Sequence, residues 1–339
     1  MVKVFLTGAS GYIGGQVLHE LASSAKYSIT ALVRGSEKCE VVGQKYPKVK
    51  VVSGDLDDTE TIKREASSAD IVLHLAHNKH IRSIKAIHEA LSHRTPSKPA
   101  YWIQVSGASV LAAAEIASPS FSPGSPSSAT FDDLEGASKL RDLIRAYPAR
   151  ATDNYILDVA GNNHGIKTAI VFPPIIYGQG QGPVNQRSIQ IPTLCKVTLD
   201  RGAAVQVGKG ENRWGNVHIR DLGKLISRLA EEASNDGAAK PELWSDQGLY
   251  LTSVGETSFA DVSQKIASAA VQQGLIKTKT VEELVGTEAD KVLPAGSIMY
   301  GTNARSKAQR AKELLGWTPK EDSLDAEIPR AVAEAAKLR

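Results

Sequence analysis

The sequence predicts a doubly wound α/β fold, a parallel sheet covered by helices on both faces, with a smaller and irregular C-terminal lobe. Three observations carry that expectation. Short apolar runs alternate with stretches of helical periodicity over the first half of the chain, the order that builds strand–helix–strand crossovers. The runs are rich in Val, Ile and Leu with little alternation, as in strands buried on both faces. The chain has 339 residues, too many for one minimal core and enough for a large domain with an appendage.

KVFLTG, residues 3–8, is the first strand, and the helical pattern GGQVLHELASSA follows it at 14–25. SITALVR (28–34) and VKVVSGD (49–55) are the second and third strands. DDTETIKREASSA (57–69) again has apolar residues at helical spacing, and Asp57, Asp58 and Thr59 offer it N-cap oxygens. DIVLHLA (70–76), YWIQVSG (101–107) and KTAIVFPP (167–174) complete six strands. Residues 118–130, SPSFSPGSPSSAT, are almost all Ser, Pro and Gly and are expected to form a mobile loop. Beyond Tyr177 the regularity gives way to GQGQGPVNQRSIQIP. Residues 1–177, joined by about 212–235, are assigned to the sheet domain, and 178–211 with 236–339 to the smaller lobe.

The net charge is +3, from 40 basic and 37 acidic residues, and no long basic run with interleaved aromatics is present, which argues against a nucleic-acid partner. Cys39 and Cys195 stand far apart without metal-ligand spacing, so neither a disulfide framework nor a structural zinc site is indicated. The opening MVKVFLTG reads as strand and turn rather than as a signal peptide, and no apolar run reaches membrane-spanning length. The expectation is a cytoplasmic monomer or homodimer with a small-molecule substrate and no membrane partner.

VFLTGASGYIGGQVL places Gly8, Gly11 and Gly14 in a GxxGxxG pattern directly after a strand and opening a helix. One glycine allows the tight turn, another lets a diphosphate approach the backbone, and the last lets helix and strand pack closely. Free amides at the helix start then hold the diphosphate, aided by the helix dipole. A fold that selects NAD would place Asp or Glu about 20 residues further on to hold the ribose hydroxyls. Here the second strand ends in Val33 and Arg34 follows. A guanidinium cannot accept from a hydroxyl but pairs bidentately with a 2'-phosphate, so NADP(H) is predicted, with Arg34 and Lys38 on that phosphate.

These motifs resemble those of the extended and atypical short-chain dehydrogenase/reductase superfamily, which contains nucleotide-sugar epimerases, dihydroflavonol-type reductases and NmrA-like proteins. TGASGYIGG matches its opening motif, which implies a Rossmann fold with Gly8, Ser10, Gly11, Tyr12, Ile13 and Gly14 around the cofactor. GDLDD matches the third-strand motif, which implies that Asp55 bonds the adenine and Leu56 packs on it. LHLAH implies Leu75, Ala76 and His77 beside the ribose, and IVFPPIIYGQG implies Pro173 and the backbone near Ile176 against the nicotinamide. GKGENRWGNVHIRDL and LGWTPK resemble later signatures of the superfamily.

The superfamily's usual chemistry needs a Tyr and a Lys four residues apart on one helix face, the lysine lowering the tyrosine's pKa and the phenol moving a proton. The single such spacing here, Tyr46 to Lys50 in YPKVK, lies between the second and third strands and is set aside. The expected position reads AYPAR instead, and Pro148 predicts that the long helix breaks into 132–145 and 148–161. The serine at the end of the fifth strand falls on Ser106 or Gly107, and the sixth-strand arginine is replaced by Phe172. The candidate catalytic set is Tyr147 as proton donor, Arg150 on the ribose or a carbonyl oxygen, and Ser106. Tyr155 and Tyr177 read as packing residues. His74, His77 and His80 alternate across strand faces too poorly to converge on a metal, and none is expected. Asn185, Gln186 and Arg187 stand where related enzymes hold substrate; Trp214, Asn216 and His218 are placed to close the pocket, and Asp221 to cap the next helix.

Two classes of function follow. One is an NADP(H)-dependent reductase or dehydrogenase acting on a carbonyl, imine or activated alkene. The other is a catalytically silent NADP-binding regulator of the NmrA-like kind. A nucleotide-sugar epimerase or dehydratase is the third reading, and the missing Tyr/Lys pair counts against it.

Overall fold

The six strands read from the sequence all form, and every pairing among them is parallel. The protein is described by a computed structural model covering residues 1–235 and 240–339. The first half contains β1 (Val2–Thr7), α1 (Tyr12–Ala22), β2 (Tyr27–Val33), α2 (Ser36–Lys45), β3 (Lys50–Ser53), α3 (Thr59–Ser67), β4 (Ile71–His74), α4 (Ile81–Leu91), β5 (Ala100–Val105), α5 (Ala113–Ala117), β6 (Phe131–Asp132), α6 (Ala137–Ala146), α7 (Ala151–Asn162) and β7 (Ile166–Phe172). Then come β8 (Ile175–Tyr177), α8 (Gln190–Arg201), β9 (Ala204–Val207), β10 (Arg213–His218), α9 (Ile219–Ser234), β11 (Leu249–Leu251), β12 (Gly255–Ser258), α10 (Phe259–Gln272), β13 (Val281–Leu284), α11 (Glu288–Val292), α12 (Gly296–Met299), β14 (Ser306–Lys307), α13 (Arg310–Leu315) and α14 (Leu324–Lys337).

The main sheet has the order β11-β7-β5-β4-β1-β2-β3. Successive strands run outward from β1 in one direction through β2 and β3, and from β4 in the other through β5, β7 and β11. The reversal between β1 and β4 opens a crevice at the carboxyl ends of the strands, the place where doubly wound sheets bind ligands. Both faces are covered, which is why β4 and β5 are buried along their whole length. Asp58 caps α3 through Thr61 N, as its sequence position suggests.

The smaller lobe gathers the sheet β12-β10-β8, the pair β13-β9, and helices α8, α10 and α14, and so takes in β8 and β10, which the sequence assigns to the sheet domain. Its boundary differs from the expected one: β11 pairs in parallel with β7, so 249–251 belong to the main sheet. Three residues carry too little periodicity to reveal this. Residues 236–239, at the start of that expected segment, lie outside the described residues.

The helix break falls as Pro148 dictates, with Tyr147 in extended geometry, but both helices start later than expected. Asp132 is in β6, paired with β14, and its carboxylate accepts from Leu134 N and Glu135 N in a turn before α6. Pro148 lies in the turn itself, and Arg150 is the N-cap of α7. The Ser/Pro-rich stretch 118–130 is irregular yet anchored rather than loose. Gly124 N donates to Gly301 O, Glu211 N to Gly124 O, and Asn303 Nδ2 to Ser125 O. Composition cannot register such long-range partners.

Asp133 fastens these pieces together. Fully buried, its carboxylate accepts from the backbone N–H groups of Leu251, Gln309 and Arg310 at 2.8 to 2.9 Å. Arg310, also buried, returns Nε–H to the Asp133 carbonyl and a second N–H to Glu242 O. Burial pushes the Asp133 carboxyl up to about 6 against the lowering by these donors. Asp133→Ala would strand three buried donors beside an uncompensated guanidinium. We expect a loss of about 3 kcal/mol or more in urea unfolding; a loss below about 1 kcal/mol would deny it this fastening role.

Candidate dinucleotide site

The turn after β1 admits only glycine at two points. Gly8 has φ +84°, and a Cβ there would lie 2.8 Å from the Leu75 carbonyl carbon; one at Gly14 would lie 2.2 Å from Gly8 O. Gly11, whose N–H donates to Gly8 O at 2.8 Å, is the N-cap of α1. No side chain caps α1 and no acid stands in its first turn, so its leading amides and positive dipole end are left for an anion. A cradle that close approach keeps free of side chains, at a helix start without a carboxylate, fits a diphosphate.

The segment 178–187 lies against this turn. Tyr12 Oη donates to Gly178 O at 2.5 Å, Asn185 N to Ser10 O at 3.2 Å, and Gln181 N to Gln16 Oε1 at 2.8 Å. Burial pushes the Tyr12 phenol well up, so its hydroxyl stays a protonated donor to that carbonyl. Ile13 is half-buried in the first turn of α1.

At the other end of the crevice Val33 is buried, and Arg34 and Lys38 are exposed without a described ion pair, on either side of Gly35 at φ +91°. Asp55 spends one oxygen on the N–H groups of Asp57 and Asp58. Leu56 is half-buried and Leu75 buried, while Ala76 and His77 are exposed; His77 Nδ1 accepts from Lys79 N. Beneath the turn a chain of polar contacts runs inward. Asp57 meets His80 at 3.4 Å, His80 meets Ser83 at 3.0 Å, Ser83 meets His74 at 3.1 Å, and His74 meets Thr7 at 2.7 Å. The Ser83 hydroxyl donates to His80 O. It must therefore accept from His74 Nε2–H, which leaves Nδ1 to accept from Thr7 Oγ1–H.

At the carboxyl end of β5 the sequence-predicted pair Ser106 and Arg150 meet: one terminal guanidinium nitrogen donates to Ser106 Oγ at 2.9 Å. The other stands 3.4 Å from Ser109 Oγ. Arg150 is held from behind by Asp153, one turn on, with Nε at 2.8 Å and the terminal nitrogen at 2.6 Å. Asp153 is 1% exposed; burial pushes its carboxyl up while Arg150 and Ser106 lower it. Thr152 Oγ1 donates to Asn78 O, and the Asn78 amide lies near Gly107. Tyr147 is half-buried, linked to Arg150 through a backbone turn. Pro173 is buried and its carbonyl accepts from Ala108 N, and Ile176 is half-buried on β8. Sequence reading missed Asp153, Ser109 and Asn78; the one available signal was an acid three residues after the helix-opening arginine.

Asn185, Gln186 and Arg187 line a cavity of about 730 Å3 between α14 and the 178–187 segment, which forms a strap across the glycine turn. Its wall includes none of Ser106, Arg150 or Asp153. Trp214 is off this wall: it is 2% exposed, its indole N–H donates to Thr302 O, and its ring packs on Phe259. Asn216 is buried in β10. His218 faces the cavity and caps α9 through Nδ1, so Asp221 is not that cap; its carboxylate accepts from Lys320 N and Glu321 N instead. Tyr155 and Tyr177 use their hydroxyls on His88 and on Asp322 O, as packing residues do. Of the discarded spacing, Tyr46 ends α2 and Lys50 pairs with Glu65. No helix of the described residues is long and apolar enough to cross a membrane.

An uncapped glycine turn at the switch point of a parallel sheet defines an NAD(P)-binding Rossmann protein, and residues 8–116 match the NAD(P)H-binding family model. An Acremonium protein named oxidase ucsJ is 34% identical, the match spanning 99% of this chain and 98% of that one. An uncharacterized Saccharomyces cerevisiae protein is 23% identical over 95% and 96%. Among solved structures, UDP-glucuronic acid 4-epimerase from Bacillus cereus, in complex with UDP-glucuronic acid and NAD, superposes with TM-score 0.67 at 16% identity over both full chains. The dTDP-glucose 4,6-dehydratase of Bacillus anthracis, in complex with NAD, gives 0.65 at 16% over 99% and 97%. The chain belongs to the family of this Acremonium protein and carries an NAD(P)H-binding domain, on the fold shared by these epimerases and dehydratases.

His74 offers a measurable consequence of the buried chain. Burial, with smaller contributions from His80 and His77, pushes it down to about 3. The folded value lies below the unfolded one, about 6.5, so the unfolded chain binds an extra proton between those limits. Stability should fall by about 1.4 kcal/mol per pH unit as pH drops from 6.5 toward 3. His74→Gln should show a shallower acid slope in urea unfolding; parallel slopes would mean that His74 is protonated in the fold.

Proposed function

We propose that this chain is an NADP(H)-dependent oxidoreductase, moving a hydride to or from a carbonyl, imine or activated alkene of a small molecule. The carrying observation is Arg150, clamped by buried Asp153 and directed onto Ser106 at the carboxyl end of β5. The glycine cradle supports dinucleotide binding, with Gly8, Gly11 and Gly14 at the diphosphate and Asp55, Leu56, Leu75, Ala76 and His77 toward the adenosine half. Arg34 and Lys38, exposed and without an ion pair among the described residues, support the phosphate of NADP(H) over the hydroxyls of NAD(H). The similar Acremonium protein bears the name oxidase, which agrees with redox chemistry.

When bound, the nicotinamide supplies or accepts the hydride. The protein's part is electrostatic and positional. As charge builds on a substrate oxygen, the Arg150 guanidinium stabilises it without giving up a proton, because arginine stays protonated. Ser106 Oγ–H, polarised by accepting from Arg150, passes a proton to that oxygen and takes one back from solvent, and Tyr147 is the second candidate donor. A silent regulator has no use for a buried carboxylate that aims a guanidinium at a strand-end serine, so the enzyme reading is preferred.

Two experiments test this. On a carbonyl and imine panel with NADPH, Arg150→Ala should lower kcat by about a hundredfold, the usual cost of losing one preorganised donor. Tight NADPH binding with no turnover anywhere on the panel would favour the regulator. Arg34→Asp should weaken NADPH by about tenfold or more and leave NADH nearly unchanged; equal losses would remove Arg34 from the phosphate.

A further inference from the structure

We propose that the cavity of about 730 Å3 between the 178–187 strap and α14 is a second ligand site, which takes a small organic anion and tightens dinucleotide binding when filled. Its volume is that of a small-molecule pocket, and its wall is separate from the Ser106–Arg150 site. The coupling half of the proposal rests on the dinucleotide reading above; the anion half does not.

The ligand's sign follows from which charges are already spent. Each carboxylate on the wall has a cation within ion-pair distance, Asp322 and Glu327 sharing Arg330. Arg330 holds Asp322 at 2.9 Å and reaches Glu327 at 3.4 Å; Lys337 holds Glu334 at 2.5 Å; Lys224 holds Glu321 at 3.0 Å, with Arg220 at 3.5 Å. Arg187 has no carboxylate within ion-pair distance among the described residues; Glu334, which Lys337 holds, feels its charge only weakly from further off. Arg220 keeps a buried Nε–H without an acceptor. His218 Nδ1 accepts from Arg220 N, which puts the ring proton of the neutral imidazole on Nε2, beside Gly178 at the cavity. The wall thus offers donors in surplus and no carboxylate without a cation. Val184, Ile191, Pro192 and Ala331 supply the apolar part, so the ligand is an anion with a hydrocarbon body.

The coupling follows from the strap. Its two ends, 178–179 and 184–187, form the cavity wall, and two of these wall residues hold the glycine turn, Gly178 through its carbonyl on Tyr12 and Asn185 through its N–H on Ser10 O. Lys45 Nζ adds bonds to Gln181 O and Gly182 O, and Gly15 packs directly on Gly182. A ligand that fixes Asn185 to Arg187 fixes the turn whose amides face the diphosphate, and the effect must be reciprocal.

The test is calorimetric titration of the full chain with octanoate and with phenyl phosphate, and with octanamide as the neutral control, each with and without NADPH. At least one anion should bind one-to-one, with octanamide about tenfold weaker or worse. That anion and NADPH should tighten each other by the same factor, about threefold or more. Arg187→Gln should abolish the anion's advantage over octanamide, and Ala331→Phe, which fills the cavity without touching a charge, should block both. Binding of neither anion to a chain that binds NADPH overturns this inference and leaves the proposed function standing. So does anion binding indifferent to both substitutions. Arg187-dependent anion binding with NADPH affinity unmoved overturns the coupling. Arg187-dependent anion binding to a chain with no NADPH affinity would support the anion site and sink the proposed function.

Discussion

The close passage of backbone at Gly8 sets the geometry on which the site depends. β1 ends there in a left-handed residue pressed against the Leu75–Ala76 backbone, and Gly14 is pressed against Gly8 O from the other side. Three segments converge where no side chain fits, and the first turn of α1 emerges with its amides uncovered. The layers around that point hold it still. Thr7, one residue earlier, is tied through His74 and Ser83 to α4, so the end of β1 cannot drift from the end of β4. The strap closes the opposite side through Tyr12 and Ser10. An open helix terminus costs little when it is fixed in this way and waits for an anion.

Two buried carboxylates divide the remaining work between fold and chemistry. Asp133 accepts three backbone N–H groups from β11 and the start of α13, so its charge is met by the fold itself. Asp153 accepts mainly from one side chain, Arg150, whose remaining donors are turned toward Ser106 and Ser109. Burial makes both carboxylates expensive, and neither persists without its partners. The difference lies in where the partner's unused donors go. Those of Arg310 go to carbonyls of its own fold, while those of Arg150 end on two hydroxyls at the carboxyl edge of the sheet, on the ligand side.

What the sequence made legible was whatever its physics keeps local. The strands, the glycine turn and the helix break at Pro148 are each fixed by a few consecutive residues, and they stand where expected. Ser106 and Arg150, 44 positions apart and in contact, were singled out only by where the resembled superfamily keeps its serine and lysine. What stayed hidden depends on partners far along the chain. β11 joins the main sheet through three residues, and the Ser/Pro-rich stretch is pinned by 211, 301 and 303. Trp214 and Asp221 sit in recognisable motifs, yet their roles come from Thr302 and from residues 320 and 321. A motif fixes an address better than it fixes which way a side chain turns.

In the proposed reaction, an arginine where the resembled superfamily keeps its lysine changes how acid–base work must be divided. A lysine beside a tyrosine both lowers the phenol's pKa and stands near enough to relay a proton, because an ammonium can release one. A guanidinium cannot, so Arg150 contributes charge and direction only. A buried carboxylate behind it keeps the guanidinium from swinging into solvent and tempers its charge. Under that proposal the proton passes through a hydroxyl that the guanidinium touches, and Ser106 Oγ lies at 2.9 Å from it. The break in the helix is what makes this arrangement possible. Pro148 ends the preceding helix, the chain turns, and Arg150 becomes an N-cap instead of a residue on a continuous helical face. From that position its side chain reaches back over the end of β5, whereas a residue held in mid-helix would have its direction set by the helix surface.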